Sequence, residues 1–162
     1  MPWRRELKGD LDAIVDKALR KEAAERYPSV DLTEHKQDLH WYLRRLEAGL
    51  IGALGGLGIE AGPNPGLTGV WTGGRKIASI GIHVKQWVTF HGFALNVNTD
   101  LSYFDLIVPC GIRDVIMTSV SRELARSDST SLWVETWQAV IDGIADALDR
   151  EPAEMSASHG FK

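Results

Sequence analysis

Apolar residues recur at helical spacing in three stretches of the chain and at strand spacing in one. Between positions 10 and 22, Leu11, Ile14, Val15, Ala18 and Leu19 fall on one face behind Asp10, a suitable N-cap, which predicts a short amphipathic helix. Arg26-Tyr27-Pro28-Ser29 ends it, because proline disfavours helical backbone in the residue before it. A longer helix is predicted from Leu32 to Leu57, with Leu39, Leu43, Leu46, Leu50, Leu54 and Leu57 as its buried stripe. Arg44, Arg45 and Glu47 are expected to face water, and Gly58 to end the helix.

The period then changes. Gly62-Pro63-Asn64-Pro65-Gly66 reads as a loop, and Val70-Trp71 as the start of a strand. Ile80, Ile82 and Val84 alternate with Gly81 and His83, and Phe93, Leu95 and Val97 alternate with Ala94 and Asn96. These runs predict strands over 77–84 and 88–97, joined as a hairpin through Lys85-Gln86-Trp87. Leu101 to Phe104 is expected to be one helical turn, Val108-Pro109-Cys110-Gly111 a tight loop, and Thr118 to Ala125 a short helix. A last helix from about Ser131 is predicted to bury Val134, Trp137, Ile141, Ile144 and Leu148. The tail from Glu151 to Lys162 has little to bury and is expected to be mobile. Helices, then a sheet, then helices suggest an α+β domain.

Composition narrows the chemistry. Eighteen basic against twenty-two acidic side chains give a net charge near −4 in 162 residues, which offers no basic excess for nucleic acid. The single cysteine, Cys110, excludes an internal disulfide and an all-thiolate zinc site. No signal-peptide pattern opens the chain, and Ala48 to Ile59, interrupted by five glycines, is too short to span a bilayer. A cytoplasmic protein without membrane partners is the expectation. No phosphate-binding glycine pattern occurs. His35 and His40 lie five apart on the long helix and share no face, so no metal site is expected.

A lone cysteine is more often a small buried apolar group than a nucleophile. Here Pro109 and Gly111 flank it and can present the side chain at a turn. Its thiolate would need a nearby base or cation, for which His83, His91 and Lys76 are candidates.

Five blocks in order carry a family resemblance: Asp38-Leu39-His40-Trp41-Tyr42-Leu43-Arg44, Gly69-Val70-Trp71, Lys76-Ile77-Ala78-Ser79-Ile80-Gly81, His91-Gly92-Phe93-Ala94-Leu95-Asn96 and Pro109-Cys110-Gly111-Ile112. Together, over about Tyr27 to Leu148, they closely resemble the lipoyl(octanoyl) transferases. The resemblance implies an α+β, mixed-sheet fold like that of the biotin and lipoate protein ligases. It implies ping-pong transfer of an octanoyl group from octanoyl-acyl carrier protein to a lysine of a lipoyl domain, on a 2-oxoacid dehydrogenase or the glycine-cleavage H protein. Cys110 matches the nucleophile that holds the thioester, and Lys76 the partner lysine that favours the thiolate and exchanges the proton. Ser79, Ile80, Gly81, Gly92, Phe93 and Ala94 match substrate-pocket segments, and no cofactor is implied.

The first part departs from that pattern. The family's Arg-Gly-Gly strand and His-Gly-Pro-Gly-Gln turn, which wall one side of the acyl pocket, have no counterpart. Residues 1–30 instead resemble the closing segment of bacterial serine/threonine kinase domains, without any of their catalytic elements. The expected division is therefore 1–30 as a foreign segment, 31–150 as the transferase-like domain and 151–162 as the tail. Alternative readings are a non-catalytic remnant of the family, a lipoate–protein ligase that uses ATP, and a hydrolase pairing Cys110 with His83 or His91.

Overall fold

A computed structural model describes residues 30–108, 111–112 and 114–151. The predicted helix over 10–22 and the tail beyond Glu151 lie outside the described residues. The chain divides into two compact units, Met1–Gln37 with Gly81–Gly92, and Asp38–Ile80 with Phe93–Lys162.

In the larger unit, helix α1 spans Leu39–Gly56. Its start is set by Asp38, whose carboxylate accepts the Trp41 N–H at 3.0 Å. Its end is a Schellman motif: Ile59 N–H donates to the Leu54 carbonyl at 2.9 Å and Gly58 N–H to Gly55 at 3.0 Å. Gly58 makes this possible with φ +85°, as its place in the sequence predicts. The expected single helix from Leu32 is corrected at its beginning. Leu32–Glu34 is a separate 3-10 turn capped by Asp31, because two aspartates compete as caps and His35 leaves helical geometry between them.

Strands β1 (Gly62–Asn64), β2 (Leu67–Thr72), β3 (Arg75–Lys85) and β4 (Val88–Leu95) form one sheet in that order. β1–β2 and β2–β3 are antiparallel, and the one parallel contact of β3, Lys76 with Met117, is an isolated bridge outside the named strands. The expected loop at 62–66 is in part a strand, with the turn confined to Pro65-Gly66. Gln86 and Trp87 both take positive φ and form the two-residue turn from β3 into β4, where the sequence places a hairpin. The expected helical turn at Leu101 is a 3-10 helix over Leu101–Leu106.

Helix α2 (Val120–Glu123) is capped by Ser119, and α3 runs over Ser129–Ala147. The expected α3 stripe is corrected. Leu132 and Thr136 are buried, whereas Val134 is 61% and Trp137 49% exposed. Thr136 hides its hydroxyl by donating to the Leu132 carbonyl at 2.7 Å, so a polar residue occupies the buried face. Gly143 on the same face meets Gly49 of α1, which lets the two helices cross in backbone contact. The core of this unit gathers Leu50 and Leu54 of α1, Val70, Ile77 and Ala78 of the sheet, and Val120 and Leu132. Each such leucine or isoleucine contributes about 1.5–3 kcal/mol when fully buried.

In the smaller unit, Leu32 is buried and its N–H donates to the Trp87 carbonyl at 2.8 Å. Val30 and Thr89 bond twice, through Thr89 N–H to the Val30 carbonyl at 2.9 Å and Val30 N–H to Thr89 Oγ1 at 2.8 Å. No helix among the described residues is long and apolar enough to cross a membrane.

Candidate active site

Lys76 is placed by the turn before it. Gly73 and Gly74 both have positive φ and close a two-residue hairpin that pairs Thr72 with Arg75 and Trp71 with Lys76. The register then shifts, since Val70 pairs with Ala78 and leaves Ile77 as the extra residue. On its other edge β3 is held by the segment entering α2. Lys76 N–H donates to the Ile116 carbonyl at 2.8 Å, and the Lys76 carbonyl accepts from Thr118 N–H at 2.9 Å.

The Lys76 residue is only 1% exposed, a rare condition for lysine. Its Nζ lies 5.5 Å from the centroid of the Trp71 ring, a cation–π arrangement. Gly69 passes so near that a Cβ there would stand 2.8 Å from Lys76 Cε. Beside it, Arg75 grips Glu123 of α2 with two bonds of 3.1 and 2.8 Å, and Thr118 donates to the same carboxylate. The Arg75 guanidinium holds the Glu123 carboxyl below the usual carboxylate range, against the opposing effect of burial.

Two expected substrate residues, Phe93 and Ala94, line an apolar cavity of about 310 Å³ with Leu95 and Val97. Trp133 and Trp137 of α3 form its opposite wall. Ser79 and Ile80 are half-buried on β3, and Ile80 packs against the core. Gly81 is exposed and Gly92 half-buried, both in the smaller unit. Cys110 and Pro109 lie outside the described residues. On either side of them, Gly111 N–H donates to the Val108 carbonyl at 3.1 Å, with Gly111 at φ +69°. His83 and His91 are both exposed in the smaller unit, with the His83 and Phe90 ring centroids 6.1 Å apart. Among the described residues no group of three or more histidine, cysteine or acidic side chains could hold a metal.

The sequence reading missed Glu47, which is 2% exposed rather than facing water. Its Oε1 accepts the Gly69 N–H at 3.1 Å, and Arg44 pairs with Oε2. The signal was present in the spacing: Glu47 stands four after Leu43, three before Leu50 and seven before Leu54, on the apolar face.

Known proteins supply the kinship. An octanoyltransferase of Solibacter usitatus is 62% identical over 86 residues, covering 53% of this chain and 39% of that protein. An octanoyltransferase of Synechococcus elongatus is 46% identical over 136 residues, covering 80% and 54%. A chloroplastic octanoyltransferase of Arabidopsis thaliana is 55% identical over 89 residues, covering 54% and 32%, so kinship leaves the compartment open. The chain thus spans about half the length, or less, of the curated relatives it matches. Among solved structures, a bi-partite lipoate protein ligase of Thermoplasma acidophilum superposes with TM-score 0.56 at 20% identity, over 78% of this chain and 51% of that one. The biotin protein ligase of Aquifex aeolicus, in complex with biotin and ATP, gives 0.52 at 14%, over 76% and 50%. Both show the α+β biotin/lipoate protein ligase-like fold. Residues 26–142 match the profile of the lipoyl protein ligase A/B catalytic domain, and the chain belongs to that family, octanoyltransferases being the relatives it matches in sequence.

Proposed function

We propose that the chain moves an octanoyl group from octanoyl-acyl carrier protein to a lysine of a lipoyl domain, of a 2-oxoacid dehydrogenase or the glycine-cleavage H protein, through a thioester on Cys110. The observation that carries this reading is the enclosure of Lys76 against the Trp71 ring, which suits an amine that handles a proton inside a closed site. The segment that bonds to the Lys76 backbone begins at Ile116, six residues after Cys110, a reach of at most about 20 Å. On the same reading, residues 31–150 are the transferase-like domain and 1–30 a separate segment.

In the first half-reaction the Cys110 thiolate attacks the octanoyl carbonyl. A new S–C bond forms, the carrier's S–C bond breaks, and the carrier sulfur takes a proton. In the second, the neutral amine of the acceptor lysine attacks the Cys110 thioester, forming an amide and releasing Cys110 as thiolate. Free lysine has a pKa near 10.4, so a base must take its proton, and Lys76 has that role. Substrate contact is assigned to Ser79, Ile80, Phe93 and Ala94 of the larger unit. A cavity of about 310 Å³ beside Phe93 and Ala94 suits a short acyl chain, whose burial contributes about 0.8 kcal/mol per methylene. The scheme uses neither metal nor nucleotide.

The test is intact mass after incubation with octanoyl-acyl carrier protein. An octanoyl adduct present in the native chain and absent in Cys110→Ser is expected, and Lys76→Met should slow delivery to a lipoyl domain at least about 100-fold. Failure of the native chain to take up octanoyl would refute the reading. Modification of the lipoyl domain only with octanoate and ATP would assign ligase chemistry instead.

A further inference from the structure

The enclosed polar side chains described in the larger unit include the acidic Glu47 and the amine-bearing Lys76. We infer that Glu47 is a positioning residue for Lys76, acting through the backbone of Gly69; this rests on the role proposed above for Lys76. Glu47 projects from α1 and accepts the Gly69 N–H at 3.1 Å, while Arg44 reaches in from the surface to its other oxygen. Gly69 has φ +132°, a conformation that residues with a Cβ rarely adopt. A Cβ there would stand 2.6 Å from the Ala78 carbonyl, 2.8 Å from Lys76 Cε and 3.4 Å from Nζ.

The lysine stem therefore runs along a bare stretch of β2 backbone whose N–H is fixed by Glu47. Two residues further on the same strand, Trp71 lays its ring beside Nζ. Both walls of the amine's slot thus belong to β2, and the Glu47 bond helps set where that strand lies. An apolar side chain could fill the same volume without desolvating a charge. What the carboxylate supplies is an acceptor for an N–H at the point where the β2–β3 register shifts. Glu47 touches no reacting atom in this scheme and acts only by holding the slot.

The experiment compares the intact chain with Glu47→Ala, which removes the acceptor, and Glu47→Gln, which keeps an acceptor oxygen. The first readout is the rate at which an N-hydroxysuccinimide acetate ester labels Lys76, measured by peptide mass against exposed Lys85. Glu47→Ala should raise Lys76 labelling about tenfold relative to Lys85, and Glu47→Gln should stay within about threefold of the native chain. In octanoyl transfer, Glu47→Ala should lower kcat about tenfold with KM for the acyl donor unchanged, and Glu47→Gln should restore it. If Glu47→Ala does not fold, Gly69→Ala keeps Glu47 and puts a methyl against the lysine stem, with the same expected rise in labelling. A Glu47→Ala protein that is less stable yet protects Lys76 like the native chain overturns the inference, and so do equal losses in the alanine and glutamine variants. Absence of transfer by the native chain would sink the proposed function, while the labelling ratios would still decide the positioning role.

Discussion

Replacing Gly143 by alanine places a methyl group 2.4 Å from the Gly49 carbonyl oxygen, 3.1 Å from the Ala53 nitrogen and 3.2 Å from the Ala53 Cβ. Two of these neighbours are backbone atoms of α1 and cannot swing aside. Restoring ordinary contact near 3.4 Å requires α1 and α3 to part by about 1 Å at the crossing. A gap of that order forfeits about a quarter to a half of the local van der Waals attraction, and overpacked sites cost about 1–3 kcal/mol. Alanine offsets about 1 kcal/mol through better helix propensity, which leaves a net loss of about 0–2 kcal/mol. Gly52 of α1 is the matched control, because a Cβ there meets nothing within 4 Å. Gly52→Ala keeps the whole propensity gain of about 1 kcal/mol. At about 2–4 °C per kcal/mol for a chain of this size, Gly143→Ala should lower Tm by up to about 8 °C and Gly52→Ala should raise it by about 2–4 °C. Thermal unfolding followed by far-ultraviolet circular dichroism reads both. Equal stabilisation by the two substitutions would refute the close crossing.

The Glu123 carboxyl is held low in the folded chain, so its bond to Arg75 contributes fully above the unfolded pKa of about 4.3 and is lost as pH falls through the lower folded value. Tm measured from pH 7 to pH 3 should therefore show the native advantage over Glu123→Gln steady at neutral pH and shrinking in acid; a gap that widens in acid would contradict the assignment. Ala94→Phe narrows the cavity beside Phe93, and competition between hexanoyl and octanoyl carriers should move toward the shorter chain by about tenfold, an unchanged ratio placing the acyl chain elsewhere. Asp38→Ala removes the cap of α1 and should cost about 1 kcal/mol in urea unfolding, with no loss expected if Trp41 N–H finds another acceptor.

The parts of the site that sequence made legible are those set by neighbours along the chain. Gly73-Gly74 fixes a turn and hence the start of β3, Gly58 ends α1, and alternation marks β3 and β4, all within a few residues. The chemical candidates, Cys110 and Lys76, stood out through composition and through five ordered blocks of family resemblance. Nothing local marks Lys76 as enclosed. A lysine after two glycines and an arginine has the signature of an exposed turn.

The sequence by itself determined the long helices, strands β2 to β4, their order and the residue types that can do acyl chemistry, because helix and strand periods, caps and turns are short-range. Only the tertiary structure decided which faces close. Thr136 and Gly143 carry no apolar signal, yet both lie on the face of α3 that packs inward, while Val134 and Trp137 face out. Glu47 sits among leucines on α1, paired with Arg44 one turn earlier and with a backbone N–H more than twenty residues away. Lys76 is enclosed by Trp71, by Gly69 and by hydrogen bonds to Ile116 and Thr118. The physical reason is that which faces are enclosed depends on elements the fold brings in from distant positions, even where, as for Thr136 with the Leu132 carbonyl, the hydrogen-bond partner lies one turn away.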